Sequence, residues 1–330
     1  MDKKLSLLPK VFIGPMTKNV VDSVLNYSKG EFGLIASRRQ VEYNGGYVNN
    51  WTTKQFSNYI GNKLIKVRDH GGPKQGNIDD DGLTSFDFDC DFFDIIHIDP
   101  WKFTQDLQLA ATLTAFYIKR CLNAVNSDLF FEVATEQSIR KFESVELDLF
   151  LLDLQSKLTE KEFSKILYCV IQSGTSLKGN NNTGAYNKER LVRMVNVCKK
   201  YGKLSKEHNG DYLPVNLIKE KMDFGLDAIN IAPEFGLIET NAILDEIGNN
   251  EYLFDCFYNM CFNSYKWTKW VDSSFQPDIK RMELIRICGH YVLSLPEFIT
   301  MKQVLPADID IKIKAKIDAK LRELVKVIYA

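Results

Sequence analysis

Over residues 1–245 the hydrophobic positions fall into short apolar runs separated by longer amphipathic segments. Eight runs of four or five residues have the composition of buried parallel strands, and they occupy residues 11–14, 33–36, 64–67, 94–98, 129–133, 168–171, 203–206 and 227–231. Between them, segments such as Lys18–Tyr27, Leu107–Ala124 and Lys188–Lys200 carry apolar residues at helical spacing. Strands that alternate with crossovers long enough for helices predict an α/β fold, the (βα)8 or TIM barrel.

The pattern changes after residue 245. Glu251–Val271 is rich in aromatic residues, Arg281–Leu293 is amphipathic, and Ala307–Tyr329 repeats Ile and Leu at helical spacing among Lys and Asp. We therefore predict a TIM-barrel domain over residues 1–245 and a helical C-terminal extension over residues 246–330. The extension would pack on the barrel or on a partner chain.

Two connections between predicted elements have an unusual composition. Gly76–Asp91 is acidic, with Asp79, Asp80 and Asp81 in a row, whereas Gly174–Tyr186 is rich in Gly and Asn. We predict both as loops, and the second has the composition of a mobile lid, with ordinary solvated connections as the alternative for both.

Charge and cysteine usage restrict the class of partner and the compartment. With 42 basic and 43 acidic side chains the formal net charge is −1, so no overall field would attract nucleic acid or an anionic membrane. The seven cysteines contain no CxxC pair, which is typical of reduced thiols in a cytoplasmic protein. No segment approaches the roughly 20 apolar residues of a membrane helix. We expect a soluble, cytoplasmic protein that binds neither nucleic acid nor a membrane.

The chemistry of the predicted strand ends indicates a possible site. In a (βα)8 barrel the C-terminal ends of the strands meet on one face, where the active sites of such barrels lie. Three of the four histidines, His70, His97 and His208, follow or end predicted strands and have carboxylates beside them. Imidazole with carboxylate suits zinc or another transition ion, whereas magnesium and calcium prefer oxygen ligands. The pattern predicts a divalent-metal or acid/base site, with ordinary solvated strand ends as the alternative.

Polar residues at the same ends are candidates for substrate binding. Cations could pair with a phosphate or a carboxylate, with ordinary solvated surface cations as the alternative. The predicted substrate-binding residues are Arg38, Gln40, Asn44, His97, Lys102, Gln172, Lys178, Asn209 and Asn230, and Arg39 is a further candidate cation.

Phosphorylated sugars in such barrels are usually held by backbone N–H groups of the seventh and eighth loops, with a helix N-terminus beyond. Asn209-Gly210 and Ala232–Gly236 occupy those loops in this chain. Glu234 would repel a phosphate if its side chain pointed inward.

Five short blocks in the chain form an ordered set with one block per strand. They are SRRQVEYNGGY at 37–47, DHGGP at 69–73, HID at 97–99, TE at 135–136 and EHNGDY at 207–212. With these blocks the sequence resembles the non-catalytic subunit of class II D-tagatose-bisphosphate aldolase and, more distantly, class II fructose-bisphosphate aldolases. The resemblance extends over nearly the whole chain. It implies a divalent ion, usually zinc, that polarises a ketone and stabilises the enediolate left when a C–C bond breaks.

The resemblance also implies roles for individual residues. Asp69 would move the proton of the aldehyde-derived oxygen, while His70 and His208 would bind the metal. The Asn-Ile pattern that the family has on strand eight matches Asn230-Ile231.

One departure from the family concerns the metal. The histidine expected after strand six is absent, because Gly174–Gly179 occupies that stretch. Gln172, Glu132 or Glu136 are the candidates for the vacant position. We assign Glu132 to the metal, and Glu136 and Asp99, together with Asp69, to the catalytic group.

Two functions remain open from the sequence. The first is a class II aldolase, or a related lyase or epimerase, acting on a phosphorylated sugar or sugar acid, and the retained Asp69, His70 and His208 favour it. The second is a non-catalytic sugar-phosphate-binding subunit that supports a separate class II aldolase, which the missing histidine favours. In that case the extension, with Trp267 and Trp270, would be the docking surface. A homo-oligomer is a further expectation.

Overall fold

The computed structural model describes residues 8–124 and 129–329. Within these residues the strands, in chain order, are β1 (Val11–Ile13), β2 (Phe32–Ser37), β3 (Lys66–Gly71), β4 (Ile95–Ile98), β5 (Phe130–Ala134), β6 (Ile166–Val170), β7 (Thr175–Lys178), β8 (Asn181–Gly184), β9 (Leu204–Glu207) and β10 (Ala228–Ile231). Parallel strands close into a barrel in the order β1-β10-β9-β6-β5-β4-β3-β2, whereas β7 and β8 form an antiparallel hairpin outside it. The predicted (βα)8 class is confirmed, and each of the eight apolar runs contributes one barrel strand.

The α-helices of the described residues are α1 (Lys18–Tyr27), α2 (Thr53–Ile60), α3 (Leu83–Phe92), α4 (Leu107–Ala124), α5 (Ser144–Lys157), α6 (Glu160–Ser164), α7 (Lys188–Lys200), α8 (Val215–Asp223), α9 (Pro233–Ile247), α10 (Glu251–Asn263), α11 (Arg281–Cys288), α12 (Pro296–Lys302) and α13 (Ile309–Ile328). The helices α1, α4 and α7 have the predicted bounds. The side chains of Thr17 and Asn187 cap α1 and α7 by accepting a backbone N–H three residues further on. In the part of the chain that is described, no helix is long and apolar enough to cross a membrane.

The acidic segment 76–91 is not entirely a loop, because its second half belongs to helix α3. The buried face of α3 carries Phe86, and its Asp89 is also buried. The carboxylate of Asp89 lies 2.7 Å from Nη2 of Arg68 in the barrel wall. An acidic residue that suggested a solvated loop is therefore the partner of a buried cation.

The second predicted loop, 174–186, is also corrected, because it contains the β7–β8 hairpin. Gly179 lies between the two strands with a left-handed φ of 58°, a conformation that glycine adopts without a steric penalty. The third apolar run was predicted at residues 64–67, but β3 begins at Lys66 and continues through Asp69 and His70. These two residues therefore belong to the strand and do not follow it.

The interior of the barrel consists of an apolar layer beneath a buried ion pair. The apolar layer is formed by Phe12, Ile35, Val67, Ile95, Tyr168 and Ala228. Nζ of Lys206 on β9 lies 2.8 Å from Oε2 of Glu132 on β5, and both side chains are fully buried. Removing one partner of such a pair costs about 3–5 kcal/mol because the other charge stays buried. The pair fixes a charged layer beneath the barrel mouth.

The C-terminal helix α13 packs against α8, α9 and α1. Its buried face consists of Ile309, Ile313, Ile317, Leu321, Leu324 and Ile328. Because α8 and α9 follow the last two barrel strands and α1 follows the first, α13 bridges the end and the start of the helical ring. We therefore propose that the extension over 246–330 packs on the barrel of its own chain and stabilises it.

Replacing the fully buried Ile317 by Ala should lower the free energy of unfolding by about 2–5 kcal/mol, since it leaves a cavity between α13 and the barrel helices. Ile311 on the same helix is 72% exposed, so Ile311→Ala is a matched control with little expected effect. Urea unfolding of the full chain measures both. Equal, small effects of the two substitutions would show that α13 does not stabilise the barrel.

Candidate active site

Three histidines and one aspartate converge at the mouth of the barrel. Asp69 and His70 lie near the end of β3, His97 is on β4, and His208 directly follows β9. One ligand atom of each, an imidazole nitrogen or a carboxylate oxygen, lies within 4.8 Å of the others. The centroids of the imidazole rings are between 4.9 Å and 5.3 Å apart. His97, which the sequence assigned to substrate binding, therefore belongs to the same cluster as the two predicted metal ligands.

The end of β3 departs from regular strand geometry. Neighbouring residues of a strand normally point to opposite faces, yet Asp69 and His70 both belong to the cluster. The register with β4 shifts between Arg68 and Gly71, and His70 has a left-handed φ of 46°. Oδ1 of Asp69 consequently lies 3.5 Å from Nε2 of His70. Such a conformation in a residue other than glycine costs on the order of 1–3 kcal/mol and tends to occur at functional sites.

Buried carboxylates hold two of the imidazoles from behind. Nδ1 of His70 lies 2.5 Å from Oδ2 of Asp99, and Nε2 of His208 is hydrogen-bonded to Oε1 of Glu132. An ionised carboxylate only accepts, so these nitrogens carry the protons. In the neutral imidazoles the lone pairs are then on Nε2 of His70 and Nδ1 of His208. A carboxylate behind an imidazole is the arrangement that orients metal-binding histidines.

The third imidazole has a backbone acceptor in the same role. Nε2 of His97 donates to the carbonyl oxygen of Ala134 at 2.8 Å, and its Nδ1 accepts the backbone N–H of His70 at 3.2 Å. The inward nitrogens of the histidines then surround one atom, Oδ1 of Asp69. Their distances to it are 3.5 Å for His70, 3.4 Å for His208 and 3.9 Å for His97.

Glu132 and Asp99 lie behind the histidines, outside the group of clustered ligand atoms. Glu132 divides its oxygens between Lys206 and His208. Asp99 also accepts the hydroxyl of Thr135 at 3.1 Å. These two acids, which the sequence assigned to the metal and to catalysis, orient imidazoles in the structure.

The charges of the cluster shift one another's pKa. Burial would lower the pKa of His70, but the carboxylates of Asp69 and Asp99 outweigh burial and raise it to about 9. Burial would raise the pKa of Asp69, but the neighbouring histidines bring it well below its usual range. The pKa of Glu132 is likewise lowered against burial, chiefly by Lys206. A cation that bound here would displace a histidine proton.

Two buried atoms of the cluster, Oδ1 of Asp69 and Nδ1 of His208, have no hydrogen-bond partner among the residues described. Buried polar atoms are nearly always paired, so these two indicate a position for a bound group. Imidazole nitrogens and a carboxylate oxygen are ligands of zinc and other transition ions. The residues therefore fit a divalent metal ion.

A cavity of about 170 Å³ extends over the cluster. The barrel contributes Asp69, His70 and His208, and the segment after residue 245 contributes Lys269, Trp270 and Tyr291; further lining residues include Arg39, Gln40, Glu136, Leu177, Asp211 and Asn230. Sequence reasoning missed Lys269 and Tyr291 as site residues and considered Trp270 only for docking. The aromatic enrichment of the extension was the one available signal.

The predicted substrate-binding residues divide into two groups. Gln40 and Asn230 line the cavity. Arg38 does not, because its buried guanidinium lies 2.6 Å from the carboxylate of Glu42 and 2.7 Å from that of Asp80. This arginine holds the loop that follows β2 against the acidic segment.

Other predicted residues are engaged in the framework or lie outside the cavity. Gln172 donates its amide to the carbonyl oxygens of residues 135 and 140, and Asn209 donates to that of residue 175. Lys178 forms an exposed ion pair from the hairpin. Asn44 and Lys102 are not part of the cavity lining.

Comparisons with known proteins support the fold. Neither a protein-family model nor a curated protein sequence matches this chain. The structure is similar to that of a probable tagatose 6-phosphate kinase from Sinorhizobium meliloti 1021, with 16% identity, a TM-score of 0.76, and 97% of this chain and 100% of the other covered. It is also similar to the fructuronate-tagaturonate epimerase UxaE from Cohnella laeviribosi, with 10% identity, a TM-score of 0.69, and 98% and 81% of the two chains covered.

A third similar structure is a fructose-bisphosphate aldolase from Campylobacter jejuni, with 12% identity, a TM-score of 0.55, and 99% and 91% of the two chains covered. At these identities the likeness shows the fold and leaves function to the site. The chain thus shares its barrel with proteins named as an aldolase, a sugar-acid epimerase and a sugar-phosphate kinase.

Proposed function

We propose that this chain is a metal-assisted enzyme of the class II aldolase type, acting on a phosphorylated sugar or sugar acid through an enediolate. One observation carries the proposal: the inward nitrogens of three imidazoles surround a carboxylate oxygen, while the outward nitrogens are held by buried acceptors. The similar structures named as an aldolase and an epimerase support a reaction next to a sugar carbonyl.

His70 and His208 would hold the ion, and His97 from β4 would replace the histidine absent after β6 once its Nδ1 releases the backbone N–H of His70 that it accepts here. Three protein ligands with one open position are typical of catalytic zinc sites. A bound zinc ion would polarise the carbonyl of the substrate and stabilise the negative charge that develops on its oxygen. Asp99, Glu132 and the carbonyl of residue 134 would keep the imidazoles oriented.

The proton transfers are assigned to two carboxylates of the cavity. Asp69 lies beside the inward nitrogens and would exchange the proton of the aldehyde-derived oxygen. Glu136 lines the same cavity and is partly exposed, so it would transfer the proton of the carbon next to the carbonyl. Trp270 and Tyr291 would exclude water from the developing charge.

Metal binding is tested on the purified chain by thermal unfolding and elemental analysis. Chelation with EDTA should lower the Tm and added zinc should restore it, because an ion that binds only the folded state adds about 2.7 kcal/mol at 100 times its Kd. Magnesium is the control and should restore little, since it prefers oxygen ligands. An unchanged Tm together with no ion in the purified protein would contradict the proposal.

A second candidate function follows from Gln172, whose side chain is bound to backbone carbonyls after β5 instead of facing the cluster. Gln172 therefore does not fill the position of the histidine that the resemblance implies after strand six, and this favours a subunit that binds a sugar phosphate and supports a separate class II aldolase. A zinc-loaded chain that binds sugar phosphates without converting any of them would favour this candidate.

A further inference from the structure

The position where barrels usually bind a phosphate is filled by the chain's own carboxylates. At the N-terminus of α9, Oδ1 of Asp211 accepts the backbone N–H groups of Ala232 and Glu234, both at 2.8 Å. The carboxylate of Glu234 accepts the N–H of Tyr212 at 2.8 Å and also lies 2.8 Å from Nζ of Lys320. A phosphate at these loops would have to displace the buried carboxylate of Asp211 and the partly buried one of Glu234. The anionic end of a substrate therefore needs another partner.

Three cations near the mouth of the cavity lack a carboxylate partner. Arg39 follows β2, Lys102 follows β4, and Lys269 lies after α10. Among the described residues, no carboxylate oxygen lies within 4.0 Å of their charged nitrogens. The buried cations Arg38 and Lys206 are both paired. Carboxylates thus neutralise Arg38 and Lys206, whereas none pairs with these three cations among the described residues.

Two of the three cations, Arg39 and Lys269, line the same cavity. Burial at the cavity rim, followed by the charges of Arg39 and Lys102, lowers the pKa of Lys269. The pKa of Lys102 is lowered by burial and by Arg39 in the same way. Lys102 and Lys269 are nevertheless exposed and Arg39 is partly exposed, so solvent and a ligand can reach them. An anion among them would relieve their mutual repulsion.

The C-terminal segment is fixed on the same side of the mouth as Arg39. Oγ of Ser294 accepts the backbone N–H of Asn49 at 2.8 Å, and the ring of Tyr291 packs edge-on against Tyr47 with centroids 4.7 Å apart. Nζ of Lys269 lies 5.3 Å from the centroid of the Tyr291 ring. These contacts attach the segment to the loop after β2, so Lys269 is positioned by tertiary structure.

We propose that Arg39 and Lys269 form the subsite for the anionic end group of the substrate, a phosphoryl group or a carboxylate. Arg39 and Lys269 line the cavity that also contains Asp69 and His70. The subsite lies beside the end of β2 and not at the loops after β9 and β10. This inference rests on the proposed function in so far as the cavity takes a sugar-derived anion.

Calorimetric titration of the full chain with inorganic phosphate tests the subsite. Lys269→Met and Arg39→Met should each weaken phosphate binding about 10- to 100-fold, the usual contribution of a hydrogen bond to a charged group. Lys178→Met is the matched control, because Lys178 is an exposed lysine of the same end of the barrel that is paired with Asp272. Lys178→Met should leave the affinity for phosphate unchanged. Raised ionic strength should weaken the parent's binding.

Acetate titrated in parallel distinguishes a preference for a carboxylate from a preference for a phosphoryl group. Binding of either anion that is tighter in the parent than in the two variants supports the subsite. Circular dichroism verifies folding, and Lys269→Met carries the test alone if Arg39→Met does not fold. Equal affinities in the parent, Lys269→Met and Arg39→Met, or no binding of either anion, would overturn the inference.

Zinc content measured on the same samples distinguishes the two proposals. Zinc binding with no effect of Lys269→Met on phosphate would refute the subsite and retain the metal site. Phosphate binding that depends on Lys269 in a chain unable to bind zinc would retain the subsite and refute the metal chemistry.

Discussion

Replacement of His97 by Ala is expected to remove the metal ion from the protein and to abolish turnover. The reason is geometric: Nδ1 of His97 faces the same carboxylate oxygen as the inward nitrogens of His70 and His208. Two imidazoles alone give fewer than the three protein ligands of catalytic zinc sites. The loss of affinity should exceed the 10–100-fold that removal of an outer-shell partner usually costs. Elemental analysis and a competitive zinc titration measure it.

The matched control separates this ligand set from the one that the sequence suggested. The double variant Glu132→Gln/Lys206→Met removes the carboxylate behind His208 without leaving a buried unpaired charge. It should retain the ion with an affinity lowered about 10–100-fold. The opposite pattern, an ion lost from the double variant and kept in His97→Ala, would show that Glu132 is the ligand and His97 is not.

The comparison of these two residues shows what the sequence could reveal. The apolar runs identified the barrel, and the Asp69-His70 pair identified the mouth, because both depend on local patterns. His97 lies within an apolar strand, IIHI, where a histidine can be a core residue or a ligand. Its role depends on the register shift between β3 and β4, which no local pattern determines.

Adjacent arginines illustrate the same limit. Arg38 and Arg39 follow β2 and look equivalent in the sequence, but Arg38 binds Glu42 and Asp80 whereas Arg39 lines the cavity. The orientation of Arg38 depends in part on Asp80, which is more than 40 residues away in the sequence. Lys269 was missed for a stronger reason, since it reaches the site from a segment beyond the last barrel strand. Tertiary contacts, rather than propensity, determine these positions.

Replacement of Asp69 by Asn is expected to lower turnover by about 10²–10⁴-fold, the usual contribution of general acid–base catalysis. The amide keeps the shape of the side chain but cannot exchange a proton with the substrate oxygen. Zinc content should be retained, because three histidines with buried acceptors behind them remain in place. Steady-state kinetics on a sugar phosphate that the parent converts, with elemental analysis of the same samples, measures both quantities.

Asp87→Asn is the control for this experiment, since Asp87 is an acid on the exposed face of α3 that pairs with Arg120. The Asp87→Asn variant should have the same turnover as the parent. Full turnover by Asp69→Asn would show that Asp69 is not the proton carrier. Loss of zinc from Asp69→Asn would instead make Asp69 a metal ligand, which its position 3.4 Å to 3.9 Å from the three inward nitrogens allows. In that case Glu136, the remaining carboxylate of the cavity that is partly exposed, would have to carry the proton, and Glu136→Gln should then lower turnover while zinc stays bound.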